Sequence, residues 1–504
     1  MSFRHAIETT ISTHLSDLDQ SLIELSIPRY EHGDFALNIA FKLSKIQKKN
    51  PMLIADEVVQ QLTQTSDVLH ISQLSGFINI KVDDNYLIKY MSEFMLSSPK
   101  WDKDPSILLE YVSANPTGPL HIGHGRWAVI GDVLYRLLQA VGGNVKNEFY
   151  VNDAGNQVKT FEASIHAIKN GQSIPENGYG GPFIDTVVAE KPDDVTSIDY
   201  VIECHRQSLE TLDCKFDRWF KESTLHQSDI IQIIQDEYPD LIYKKDGAVW
   251  FKTTDYNDDK DRVLQKDNGD LTYFACDIVY HLNKINRKYD HIINIWGADH
   301  HGYIERIRAA ILAKKESVTF SVILGQLVNL FKDGEPIKMS KRTGNLIELD
   351  DVIHEIGVDA TRYFLVEKRP DLPLDFDMTK ATMTSMDNPV YYIQYAHARI
   401  CSLQKKCEGL PEGAHTAIND ADRKLMVHVC RYYDVLLDAS NSLEPYKLPQ
   451  YLHELASLFH SFYQKCPVIV DDAITPHRIA ILSAVQKVIQ HCSGILGIST
   501  PEKM

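Results

Sequence analysis

Two histidines three residues apart, His121 and His124, follow the breakers Pro116, Gly118 and Pro119 and precede an apolar series at helical spacing: Trp127, Ile130, Val133, Leu134, Leu137, Leu138 and Val141. Ahead of them, Ile107-Leu108-Leu109-Glu110-Tyr111-Val112 reads as a buried parallel strand, and Gly142-Gly143 stops the helix that follows. The histidines therefore lie at the first turn of a helix leaving a strand, where unpaired backbone N–H groups and the helix dipole favour an anion. Gly123, lacking a β-carbon, would let a flat base approach the backbone closely. The chemistry this spacing suits is the holding of a nucleotide phosphate. Far downstream, Lys338-Met339-Ser340-Lys341-Arg342 follows the turn Lys332-Asp333-Gly334-Glu335-Pro336. It offers two lysines, mobile point charges suited to a triphosphate whose charge moves during reaction.

Such groups need a scaffold to bring them together. Between about 101 and 385, strand and helix patterns alternate as in a doubly wound α/β fold with a parallel sheet. The stretch at about 174–270 is rich in Gly, Asp and Asn and reads as an insertion between the two halves of that fold. Residues 1–100 form a separate α+β opening module, closing on the alternation Ser75-Gly76-Phe77-Ile78-Asn79-Ile80-Lys81-Val82. Over 386–504 the apolar spacing is helical almost throughout, as in Val427, Cys430, Leu436, Leu437 and Leu455, Leu458, Phe459, Phe462, which predicts an all-α carboxyl-terminal domain.

The 504 residues, 44% of them hydrophobic, supply cores for roughly three domains. No uninterrupted apolar run reaches the ~18 residues of a membrane span, so the reading is a cytoplasmic protein with no membrane partner. Eight cysteines without a C-x-x-C pair argue against a zinc ribbon and a disulfide framework. His300-His301 beside Asp299 suggests no metal either, since neighbouring histidines point apart and no cysteine lies nearby. A net charge of −17 neither proves nor excludes a nucleic-acid partner, because basic clusters stand at 42–49, 338–342 and 399–406.

His121-Ile122-Gly123-His124 and Lys338-Met339-Ser340-Lys341 match, in order, the paired HIGH and KMSK signatures of class I aminoacyl-tRNA synthetases. Further stretches narrow the likeness: Ser113-Ala114-Asn115-Pro116-Thr117-Gly118, Tyr150-Val151-Asn152-Asp153-Ala154-Gly155-Asn156-Gln157, Trp296-Gly297-Ala298-Asp299-His300-His301-Gly302, and Asp387-Asn388-Pro389-Val390-Tyr391-Tyr392-Ile393-Gln394-Tyr395-Ala396-His397-Ala398-Arg399. Over essentially its whole length the chain resembles arginyl-tRNA synthetases of the bacterial type, though it is somewhat shorter than typical members.

The resemblance implies a Rossmann-like catalytic domain, an amino-terminal domain that touches the corner of the tRNA, and a helical anticodon-binding domain. It implies a monomeric ligase that takes ATP with Mg²⁺, forms arginyl-adenylate and passes arginine to the terminal adenosine of tRNA(Arg). The attacking carboxylate is already ionised, so the work is positioning and charge stabilisation. His121, His124, Lys338 and Lys341 are expected to do it. Gly123, Trp296, Gly297, Asp299, His300, Met339 and Ser340 are expected to complete the ATP site. A guanidinium with five donors demands acidic acceptors in a fixed fork geometry. Glu110, ending its strand, and Asp277, four residues after Tyr273 on one helix face, fit that need. In the family the positions matching Glu110, Ser113, Asn115, Tyr273 and Asp277 hold arginine, and His301 is expected to join them. Tyr391, Gln394, Tyr395, His397 and Arg399 are expected to stack on or bond to unpaired bases of the tRNA.

Two other readings stand beside this one. A class I synthetase for another amino acid would leave Glu110 and Asp277 unpaired at a cost, and the cysteinyl enzymes use zinc-ligating cysteines that this chain lacks. A non-catalytic tRNA-binding paralogue has no need of both phosphate elements.

Overall fold

The computed structural model describes residues 2–66, 68–94, 100, 101, 103–337, 347–414 and 416–504. The basic stretch 338–346, with Lys338, Met339, Ser340 and Lys341, lies outside the described residues.

Five parallel strands form the central sheet: β1 (Ser106–Glu110), β2 (Asn144–Val151), β3 (Arg218–Lys221), β4 (His291–Gly297) and β5 (Thr319–Gly325), in the spatial order β5-β4-β1-β2-β3. Ile107, Leu108 and Leu109 are buried on both faces, as a continuous apolar run in a parallel sheet requires. Helix α1 (Ile122–Ala140) connects β1 to β2 and buries Ile122, Val129, Val133, Leu134 and Leu137. It ends where Gly142 turns the chain at φ 97. Helix α2 (Tyr273–Asn286) precedes β4. Because β1 has β2 on one side and β4 on the other, the strand order reverses beside it, and the carboxyl ends of these strands open a crevice at the switch point.

The expectation of a single insertion over 174–270 is corrected. Its residues Arg218–Lys221 are the edge strand β3 of the central sheet, in register with Glu148 to Val151 of β2. Only its later part, Ile242–Lys245, Ala248–Phe251 and Arg262–Gln265, makes a sheet of its own, antiparallel and three-stranded. Scattered Gly, Asp and Asn marked turns here, not a foreign domain.

Four antiparallel strands, Leu25–Ser26, Phe35–Leu37, Phe77–Val82 and Leu69–Leu74 in that spatial order, with flanking helices, make the amino-terminal unit. The carboxyl-terminal part is helical: α3 (Pro389–Cys407), then Asp420–Cys430, Tyr432–Ser442, Lys447–Lys465 and Pro476–Leu496. Pro476–Leu496 has the length and apolar content of a membrane span, yet it also carries His477 and Arg478 and packs against the helices Asp420–Cys430 and Lys447–Lys465, which is how a core helix behaves. Fully buried Arg362 ties the units together by donating to the carbonyls of Leu496 and Leu212 and to Asp132.

Candidate active site

The chain leaves β1 through two left-handed residues, Val112 at φ 73 and Ser113 at φ 50. For a β-branched valine this conformation costs on the order of 1–3 kcal/mol and persists only where the surroundings impose it. It ends the strand at Glu110, two residues short of the predicted limit, and lifts Ser113 over the crevice. There Ser113 Oγ accepts the Tyr150 N–H at 3.3 Å and lies 3.4 Å from Glu110 Oε1. Asn115 Nδ2 donates to Gln157 Oε1 at 2.8 Å.

His121 is the N-cap of α1, and His124 sits in its first turn. The Gly123 N–H donates to His121 Nδ1 at 3.1 Å, and the His121 N–H donates to His124 Nδ1 at 3.3 Å. Each neutral ring that accepts at Nδ1 carries its proton on Nε2, so the cap fixes the tautomer. The rings stack with centroids 3.7 Å apart. A β-carbon at Gly123 would lie 2.9 Å from the His121 ring, so the glycine also makes room for the imidazole. At Gly125 a β-carbon would meet Leu349 at 2.5 Å. That close approach lets the Leu349 N–H donate to the Leu120 carbonyl at 2.8 Å, and Glu348 forms a bridge with His121. The first described residues after the basic stretch 338–346 therefore lie against the histidine turn. Arg126, wholly buried, donates to the carbonyls of Gln326, Leu372 and Arg369 and pins the start of α1 to these loops.

Below the histidines a cleft of about 500 Å³ runs across the strand ends, lined by Glu110, Ser113, Asn115, His124, Tyr273, Asp277, Trp296, Gly297, Asp299 and His300 among others. His121 lines the adjoining recess with Glu348. Tyr273 stands at the mouth, 72% exposed. Ten of the predicted substrate residues thus meet in one place. His301 is exposed on the short turn after β4, beside the lining residues Asp299, His300 and Tyr303.

The floor is acidic, and its carboxylates differ. Glu110 is ion-paired with buried Lys284, which also donates to Asn294 Oδ1 at 2.9 Å. Glu148 pairs with Arg287 through both oxygens, at 2.8 and 3.0 Å. The Tyr280 hydroxyl lies 2.9 Å from Glu110 Oε2 and 2.8 Å from Glu148 Oε1. The expectation that Glu110 offers an uncompensated carboxylate is therefore corrected: Lys284 already supplies its counter-charge. Asp277 is different. Among the described residues it has no Lys or Arg within ion-pair distance, and burial, with Glu110 and Glu222 beside it, pushes its carboxyl up to about 7. Glu222 is buried, bonded to His226 Nε2 at 3.2 Å and, with the Asn152 amide suitably oriented, accepting from Asn152 at 3.1 Å. Lys284 and Arg306 pull the Asp277 carboxyl the other way without offsetting its burial and its acidic neighbours, so this wall of the cleft favours a cation.

Lys284 and Glu222 were not singled out from sequence, and Trp127, whose ring closes on Gly297 and Gly325, was read there only as part of the helical apolar series. Lys284 sits one turn after Tyr280 and two turns after Asp277 on the same face of α2, which is the one signal that could have found it.

On α3, Tyr391 and Tyr395 stack with their rings 7° from parallel, and the Arg399 guanidinium covers the Tyr395 and Tyr463 rings at 5.1 and 4.1 Å. The other two predicted tRNA contacts are corrected. His397 is buried, its Nδ1 2.9 Å from the Pro501 carbonyl and its Nε2 3.1 Å from Gln490. Gln394 donates to Asp359 and to Ser499. Both hold the carboxyl-terminal tail against the helix. All eight cysteines are free thiols.

A doubly wound sheet whose first strand leads through a histidine-capped helix into an acidic, strand-end cleft defines a class I aminoacyl-tRNA synthetase, and the class I (R) tRNA synthetase catalytic domain matches residues 89–177 and 192–402. The arginyl tRNA synthetase N terminal domain matches 2–82, and the DALR anticodon binding domain matches 393–504. The chain belongs to the arginyl-tRNA synthetase family. It is 38% identical to the arginine–tRNA ligase of Shouchella clausii over 94% of this chain and 92% of that one, and 39% identical to that of Oceanobacillus iheyensis over the same shares. Its fold is similar to that of the Thermus thermophilus arginyl-tRNA synthetase, with a TM-score of 0.81 over the full length of both and 19% identity.

Proposed function

We propose that this chain joins arginine to tRNA(Arg) in two steps, with Asp277 as the group that recognises the guanidinium. The observation that carries this reading is the Asp277 carboxyl itself, on the cleft wall beside Glu222 and without a Lys or Arg ion pair among the described residues. A guanidinium entering there gains charge-assisted hydrogen bonds and relieves the cost of burying the carboxylate. Tyr273, one helical turn earlier on the same face, closes the mouth. Glu110, held by Lys284, with Ser113 and Asn115 at the end of β1, faces the other end of the amino acid.

ATP, carrying its Mg²⁺, lies along the histidine turn with its base toward Trp296 to His300. The Nε2–H groups of His121 and His124 then donate to the phosphates, and Lys338 and Lys341 meet the β- and γ-phosphates. The arginine carboxylate attacks the α-phosphorus, the bond to the bridging oxygen breaks, and pyrophosphate leaves. Charge moves onto phosphoryl oxygens already met by fixed donors, so no proton is abstracted in this step. In the second step the terminal hydroxyl of the tRNA attacks the activated carbonyl, the bond between that carbon and the phosphate oxygen breaks, and AMP departs with the hydroxyl proton taken up on its phosphate. The Tyr391, Tyr395 and Arg399 column on α3 offers stacking faces and a positive charge to unpaired bases. An aminoacylation assay with total tRNA and each amino acid in turn tests the reading: charging by arginine alone is expected, and charging by a different amino acid overturns it.

A further inference from the structure

We propose that Glu222, His226 and Cys276 form a binding site for a thiophilic divalent cation of the zinc type at the edge of the cleft. One oxygen of Glu222, one ring nitrogen of His226 and the Cys276 sulfur all lie within 4.8 Å of one another, with Glu222 Oε1 and His226 Nε2 3.2 Å apart. Two elements converge to place them. Glu222 and His226 stand four residues apart on the short helical segment Glu222–Gln227, and Cys276 lies in the first turn of α2 packed against it. Thiolate, imidazole and carboxylate form the mixed donor set that zinc takes, with bonds of about 2.0–2.3 Å in a tetrahedron. Ligand atoms then stand roughly 3.3–3.8 Å apart, so a metal would draw together groups that now lie within 4.8 Å, the exposed His226 ring being the freest of them to move.

Three protein ligands leave one position open. Glu222 and Cys276 both line the cleft while His226 does not, so that position faces the cleft, where water or a ligand atom can fill it. The cation would neutralise Glu222 and set positive charge beside Asp277. It would therefore oppose the entry of a guanidinium, a consequence that rests on the proposed assignment of arginine to this wall. Metal binding itself does not rest on it.

The test titrates the metal-free full chain with Co²⁺. A thiolate-to-cobalt charge-transfer band is expected, saturating at one equivalent and bleached by Zn²⁺. Cys276→Ser should remove the band, and His226→Gln, at an exposed side chain, should weaken binding about tenfold or more. No band in the wild-type chain overturns the proposal. So does a band that survives Cys276→Ser, which would put the metal on another cysteine. If Cys276→Ser does not fold, an unchanged affinity in His226→Gln overturns it just as well. Arginine should raise the apparent Co²⁺ dissociation constant at least fivefold. Stoichiometric metal binding that ignores arginine would overturn the opposition and leave the site standing.

Discussion

The carboxylate of Glu110 and the ammonium of Lys284 form a buried ion pair beneath the cleft, joining the end of β1 to the last turn of α2. Removing one partner of such a pair strands a charge in a medium that cannot solvate it. Lys284→Met should therefore lower the free energy of unfolding by about 3–5 kcal/mol in chemical denaturation. The double variant Glu110→Gln with Lys284→Met should lose clearly less than the two single variants together. Additive losses would show that the pair is not coupled.

The histidine turn gives a kinetic expectation. His124→Asn keeps an acceptor for the His121 N–H while removing the ring, and Lys341→Ala removes one charge from the basic stretch. Each should slow single-turnover adenylate formation about a hundredfold, the usual loss for one charge-stabilising donor. Binding of tRNA should change little. Wild-type rates in either variant would remove that residue from the reaction.

Three buried histidines set the acid limit of the fold. Burial lowers His205 and His428 to about 4 and His281 to about 3. The neutral His205 ring donates to the Gly118 carbonyl in the histidine turn at 2.7 Å. Unfolded, each takes up a proton near 6.5, while the folded state refuses it until the lower value. Stability is thus complete above about pH 6.5 and falls as pH drops toward 4, by about 1.4 kcal/mol per unit for each histidine. His205→Gln, which keeps a donor for Gly118, should reduce the slope of unfolding free energy against pH by one proton in that window. An unaltered slope would mean that His205 titrates normally.

On α3 the proposed tRNA-facing side chains part from those that hold the carboxyl-terminal tail. Arg399→Ala should weaken tRNA binding and lower its salt slope by about one phosphate. His397→Ala should leave tRNA affinity alone and cost about 1–3 kcal/mol of stability by stranding the Gln490 amide and the Pro501 carbonyl. Weaker tRNA binding by a fully folded His397→Ala variant would contradict this division.

The sheet and the histidine turn were legible because local rules govern them. An unbroken apolar run, three breakers and a helical period place β1, the turn and α1 within a few residues. Asp277 and Tyr273 were readable as one helix face for the same reason. What stayed hidden is tertiary. Lys284 is 174 residues from Glu110, and a lysine at the end of a helix reads as solvated until the strand it meets is known. Glu222 stands at the end of an edge strand inside a stretch whose turn-rich composition suggested an insertion. His397 shares its helix with Tyr391, Tyr395 and Arg399. Nothing in that spacing tells that the carboxyl-terminal tail returns to cover it.

The most direct test of the account is the charge at Asp277. Asp277→Asn keeps size and shape and converts a charge-assisted hydrogen bond into a neutral one, worth about 1–3 kcal/mol less. The Michaelis constant for arginine should rise about five- to a hundredfold, that for ATP should hardly move, and discrimination against citrulline, uncharged but of the same shape, should shrink. A folded Asp277→Asn variant with an unchanged arginine constant and undiminished rejection of citrulline would contradict the claim that this carboxylate reads the guanidinium.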